Sequence, residues 1–186
     1  QIVSVVPAEL DADSPYLFPG FVDLHVYDWS ATEAAGVTSY LATCGTRPTD
    51  EIDAFLEAPP SGSGCLGVHL EGPFLNQEAA GAQPAEHVQP VDPELLERWL
   101  ATGSVRVMTI APEVEGGLDA IRAITEAGVV ASIGHTRANY YTTMAAVESG
   151  ARFATHLWNS MSGFTARTPG AVGTLLADDR VTLGVI

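Results

Sequence analysis

Short apolar runs recur along this chain, and polar or glycine-containing segments with helical spacing separate most of them. The runs predict strands over residues 21–26, 37–43, 65–70, 105–110, 129–133, 152–155 and 181–186. Between them the pattern predicts helices over 50–56, 92–101, 118–127, 139–149 and 170–177. Asp92 followed by Pro93 reads as an N-cap and first helical residue. Gly128 and Gly150 read as the residues that stop two of the helices. Strand alternating with helix argues for a parallel α/β fold. A near-continuous apolar run such as residues 128–133 fits a sheet buried on both faces. An open doubly wound sheet and a closed barrel both satisfy this pattern.

What lies just past the strands separates the two. Glu71 ends the third apolar run, His135 follows the fifth and His156 the sixth. Taken singly, these are equally well a turn carboxylate, a helix-start histidine and a core histidine. Taken together they occupy one kind of position, the C-terminal end of a strand, and this favours a barrel with a site at its mouth. One glutamate and two histidines form a sound ligand set for a divalent metal, with a coordination position left for water. Zinc suits the set best, and Fe²⁺, Mn²⁺ and Co²⁺ also fit. His25 ends the first strand in the same setting, as a candidate for a second metal, for substrate or for a structural role. Past the sixth strand, Asn159 and Arg167 lie in a loop before the helix expected from Gly170. An arginine there can grip a phosphate, or simply be solvated. Gln83, in the loop after strand three, can hydrogen-bond a substrate amide or serve the loop alone.

Composition narrows the partners. The 186 residues are 46% hydrophobic and 17% charged, which suits one globular domain with a real core. A formal net charge of −15 disfavours nucleic acid and anionic membrane, both of which need clustered cations. No apolar run reaches the ~18 residues that span a bilayer, no leader is visible, and a cytoplasmic location is expected. Cys44 and Cys65 are the only cysteines and read as buried thiols.

Two features resist a complete barrel. Eight strands and typically ~250 residues are the norm, whereas seven strands are counted here. The segment between strands one and two, residues 27–36, is also shorter than the dozen or so residues a parallel crossover with its helix needs. The stretch Pro59-Pro60-Ser61-Gly62-Ser63-Gly64 is similarly abrupt. The expectation is therefore a fragment, or a chain lacking internal segments.

The runs Pro19-Gly20-Phe21-Val22-Asp23-Leu24-His25, His69-Leu70-Glu71-Gly72-Pro73-Phe74, Ala111-Pro112-Glu113, Gly134-His135-Thr136 and Thr155-His156-Leu157-Trp158-Asn159-Ser160-Met161 together resemble the N-acetylglucosamine-6-phosphate deacetylase family of the amidohydrolase superfamily. The resemblance runs from about residue 19 to the end of the chain. It implies a (β/α)₈ TIM-type barrel, here incomplete over residues 19–186, beside a small β-sandwich of which residues 1–18 are a remnant. It implies metal-dependent hydrolysis of the acetamide of N-acetylglucosamine 6-phosphate to glucosamine 6-phosphate and acetate, a step of amino-sugar metabolism. Glu71, His135 and His156 match the family's metal ligands. Asn159, Ser160 through its backbone, and Arg167 match sugar and phosphate positions, and the family's homodimer lets a phosphate-binding arginine cross the interface.

The sequence departs from the family pattern in several places. His25-Val26-Tyr27 stands where many superfamily members carry His-x-His, and the glycine-rich segment that follows is absent, which places missing residues near 26–30. Gln83 stands where the family often has a histidine that orients the carbonyl. The general-base aspartate that the family implies falls beyond residue 186, as does a second substrate-binding histidine. Two other readings remain: another amidohydrolase, such as a cyclic-amide hydrolase or a base deaminase, and a catalytically dead barrel piece that binds sugar phosphate.

Overall fold

A computed structural model of the chain describes residues 18–186. The sandwich remnant expected over residues 1–18 lies outside them but for its last residue. Seven strands form one sheet in chain order, every neighbouring pair parallel. They are β1 (Phe21–Val26), β2 (Val37–Gly45), β3 (Cys65–Glu71), β4 (Val105–Ile110), β5 (Val130–Ile133), β6 (Phe153–Ala154) and β7 (Thr182–Leu183). Five α-helices lie between them: α1 (Thr49–Glu57), α2 (Pro93–Ala101), α3 (Gly117–Glu126), α4 (Tyr140–Glu148) and α5 (Gly170–Leu176). No helix among the described residues is long and apolar enough to cross a membrane.

The local signals act as the sequence suggests. Asp92 Oδ1 accepts the backbone N–H groups of Glu94 and Leu95 at 2.9 and 3.2 Å, which satisfies two otherwise unpaired donors at the start of α2. Gly128 and Gly150 follow α3 and α4 with φ of 76° and 115°, a region that costs any side chain with a Cβ. β2 runs two residues further than expected. The backbone departs most from expectation between β1 and β2. Two single-turn 3₁₀ helices, Trp29–Ala31 and Glu33–Ala35, replace the crossover helix. Their steeper rise of ~2 Å per residue returns the chain to the start of β2 within the ten residues 27–36. β6 is shorter than expected because the chain turns into left-handed backbone directly after Thr155, with φ of 34° at His156, and β7 is shorter as well.

The sheet curls. Glu71 at the end of β3 touches His156 just past β6, although three strand spacings in a flat sheet amount to about 14 Å. β1 and β7 line one cavity of about 370 Å³, so the two edges approach each other. Curling divides the side chains into two sets. Val68, Leu70, Met108, Ile110 and Ile133 face outward into a large apolar core against Leu96, Trp99, Ile121, Ile124 and Val172 of the helices. Leu41, Val107 and Phe153 form a small inner apolar cluster with Leu24.

Between this inner cluster and the mouth lies a polar layer that must satisfy itself, because every member is buried. His69 Nδ1 is 2.8 Å from the Leu24 carbonyl oxygen, an acceptor, so this nitrogen carries the proton. Nε2 then accepts from the Thr109 hydroxyl at 2.7 Å. Thr109 in turn accepts from Thr155, and Thr155 from Ser132. This one-directional chain ties β1, β3, β4, β5 and β6 together beneath the mouth. Burial, and next the nearby His25, push the His69 ring down to about 4, which keeps it neutral in this role.

Candidate metal centre at the strand ends

Glu71 is the last residue of β3 and is almost fully buried. Its Oε1 lies 3.1 Å from His135 Nε2 and 3.0 Å from His156 Nε2, and the two ring nitrogens are 3.1 Å apart. Three donor atoms at the corners of a nearly equilateral triangle are what a single small cation needs. Four-coordinate zinc with bonds of ~2.0–2.2 Å implies edges of roughly 3.3–3.6 Å, a few tenths longer than those found.

Proton accounting points to the same conclusion. His135 Nδ1 is 2.9 Å from the Ala79 carbonyl oxygen, so it donates, and a neutral His135 presents a bare lone pair at Nε2. That lone pair faces a carboxylate oxygen, and two acceptors cannot bond each other. Protonating both rings instead would set two cations 3.1 Å apart. One divalent cation satisfies all three atoms at once, and metal ligation requires these deprotonated forms. The donor set therefore fits a metal.

The other carboxylate oxygen is held by the protein. Glu71 Oε2 accepts from Tyr27 Oη and from Gln83 Nε2 (2.8 Å), and lies 3.1 Å from His25 Nε2. Burial, then the Glu71 charge, raise the Tyr27 hydroxyl, so it remains a neutral donor. Gln83 is fixed in turn by the Thr46 N–H, which donates to its Oε1 at 2.8 Å. His25, Glu71 and His156 place donor atoms within 4.8 Å of one another, which makes His25 the geometric candidate for a second ligand set.

Backbone strain marks the same region. The described non-glycine residues with left-handed φ are His135 (48°), His156 (34°), Trp158 (77°) and Ser160 (53°). Each costs of order 1–3 kcal/mol and persists only where its surroundings over-determine it. The Asn76 N–H donates to the His135 carbonyl at 3.0 Å, and the Thr136 N–H donates to the Ser160 carbonyl at 3.0 Å. Gly81 lies so close that a Cβ there would fall 2.2 Å from Ser160 Oγ.

Of the residues expected from sequence, Glu71, His135, His156, His25 and Gln83 converge on one cavity of about 540 Å³. Asn159 and Ser160 follow His156 in the same loop, and Asn159 Nδ2 donates to the His156 carbonyl oxygen at 3.3 Å. Arg167 is exposed and lines a neighbouring hollow of about 600 Å³ with Arg137, Tyr140 and Tyr141. Sequence reasoning missed Thr46 and Arg47, which line the metal-site cavity. The signal was present: β2 extends to Gly45, and the rule that strand ends carry chemistry would have reached them had the strand not been ended at residue 43.

No protein-family model matches the chain. It is 37% identical over 210 residues to the N-acetylglucosamine-6-phosphate deacetylase of Bos taurus, which covers 97% of this chain and 51% of that protein. It is 36% identical over 197 residues to that of Bacillus subtilis, which covers 90% and 50%. The crystal structure of N-acetyl-D-glucosamine-6-phosphate deacetylase from Mycobacterium smegmatis superposes with a TM-score of 0.83 at 35% identity, over 90% of this chain and 50% of that one. A mutant of the same enzyme is known in complex with N-acetyl-D-glucosamine-6-phosphate. The chain spans about half the length of the relatives it matches. Over the part it spans, in sequence and in backbone, the chain is homologous to the N-acetylglucosamine-6-phosphate deacetylases.

Proposed function

We propose that this chain carries the metal centre of an enzyme that hydrolyses the acetamide of N-acetylglucosamine 6-phosphate to glucosamine 6-phosphate and acetate. The observation that carries this reading is the convergence of Glu71 Oε1, His135 Nε2 and His156 Nε2, with His135 Nδ1 already committed to Ala79. Glu71, His135 and His156 hold the metal, with zinc as the preferred ion and His25 available on the other carboxylate oxygen. A metal bound there supplies Lewis-acid polarisation of an amide carbonyl and a more acidic water. Tyr27 and Gln83 fix the orientation of Glu71, and the Gln83 amide lies on the wall where the acetamide enters. Asn159, Ser160 and Arg167 take the sugar and its phosphate, so remote binding energy orients the reacting bond. The complex of the Mycobacterium smegmatis mutant with this sugar phosphate supports that substrate over cyclic amides and bases. The whole protein acts as a cytoplasmic homodimer.

The test uses chelator-stripped protein titrated with zinc, followed by addition of the sugar. One equivalent is expected to bind, and Glu71→Gln to bind none. N-acetylglucosamine 6-phosphate is expected to bind the zinc-loaded protein saturably. Unchanged metal content in the Glu71→Gln protein would remove the metal assignment. Equal affinity for N-acetylglucosamine without its phosphate would remove the substrate assignment.

A further inference from the structure

Glu113 lies past β4 in Ala111-Pro112-Glu113, and the centre described above does not use it. Its carboxylate nevertheless joins the loops that build that centre. Oε1 accepts from Asn76 Nδ2 at 2.8 Å and from the Arg137 N–H, while Oε2 accepts from the Thr136 hydroxyl. Asn76 belongs to the loop after β3, and its own N–H holds the His135 carbonyl. Thr136 and Arg137 are the two residues directly after His135. Thr136 continues the linkage: its N–H donates to the Ser160 carbonyl, and its carbonyl accepts from the Ser162 N–H at 2.9 Å, in the loop that carries His156. A single half-buried carboxylate thus stands at the centre of a belt across the mouths of β3, β4, β5 and β6.

We propose that Glu113 is a positioning residue for the metal centre: it holds His135 in its left-handed backbone so that Nε2 meets Glu71 and His156. The physical reason is the strain at His135, whose φ of 48° needs fixed partners on both sides. Asn76 supplies one side and Glu113, through Thr136 and Arg137, the other. Without the carboxylate, Asn76 Nδ2, the Thr136 hydroxyl and the Arg137 N–H lose their common acceptor. The loop can then relax, and the triangle of donors opens. Groups that orient metal ligands typically contribute 10–100-fold in metal affinity.

This inference rests on the metal reading of Glu71, His135 and His156, and the test separates the two. The purified 186-residue chain is stripped with chelator and titrated with Co²⁺, whose visible spectrum reports coordination geometry. Glu113→Ala is expected to weaken Co²⁺ binding about 10-fold or more and to alter the spectrum. Glu113→Gln keeps an acceptor for the amide donors and is expected to restore most of the affinity. Asp53→Ala serves as the control for plain loss of stability, since Asp53 also accepts from several donors, Arg98 and Trp99, away from the site. It is expected to leave the cobalt spectrum unchanged. Should Glu113→Ala fail to fold, Thr136→Val, which removes one donor to the same carboxylate, is expected to weaken binding several-fold. Wild-type affinity and spectrum in a folded Glu113→Ala, or in Thr136→Val where Glu113→Ala fails to fold, overturn the proposal while leaving the metal reading intact. Absence of Co²⁺ binding to the unaltered chain overturns both.

Discussion

Glu71 shows how far a residue's chemistry depends on what surrounds it. In sequence it is a carboxylate in a Glu-Gly-Pro turn; in the fold its two oxygens face different partners, histidines on one side and Tyr27, Gln83 and His25 on the other. Tyr27 was noted in sequence only as a departure from a second histidine, and its hydrogen bond to Glu71, made across the curled sheet, is not encoded by any local spacing. The cysteines give a residue-scale prediction. Cys44 is fully buried and its thiol is pushed up to about 11, chiefly by burial, with Arg47 opposing. Cys65 is half-buried at the start of β3. A thiol reagent at pH 8 is expected to label Cys65 alone in the folded protein and both cysteines in denaturant. The sign of the linkage follows. The Cys44 thiol ionises near 9 when unfolded and near 11 when folded, so its contribution is intact below pH 9 and is lost as pH rises toward 11. Labelling of Cys44 in the folded chain at the rate seen for Cys65 would contradict the buried placement.

At the scale of elements, the strands and helices were legible because each has its own periodicity and its own stop signals. Asp92 and Pro93 announced α2, and Gly128 and Gly150 the ends of α3 and α4, all by local chemistry. Asp92→Ala is expected to destabilise the protein by about 1 kcal/mol through loss of the cap, a fall in melting temperature of about 2–4 °C. A melting temperature within experimental error of the wild type would show that the two capping bonds contribute nothing net. The β1–β2 connection was not legible. Length alone argued against a parallel crossover, yet two 3₁₀ turns complete it, because the sheet pairing of β1 with β2 outweighs the weak local preference of residues 27–36.

For the whole molecule, the metal centre joins strands that are far apart in sequence, so ligand binding and folding are linked. Zinc at about 1,000 times its dissociation constant adds roughly 4 kcal/mol to a fold that alone binds it. Chelation is therefore expected to lower the melting temperature on the order of 10 °C, and the Glu71→Gln protein is expected to show no zinc dependence. A chelator-insensitive wild-type transition would separate the centre from stability altogether. What the sequence by itself determined was the alternation of strand and helix, the parallel class, and the placing of Glu71, His135 and His156 at strand ends. Those properties are local, carried by apolar runs, caps and the residue that follows each run. Only the tertiary structure decided that the sheet curls enough to bring β3, β5 and β6 to one point. It also decided that Arg167 lines a different hollow from the ligands, and that Glu113 binds three loops together. Those outcomes depend on the summed twist of seven paired strands and on contacts such as that between Glu71 and His156, 85 positions apart, which no window along the chain contains.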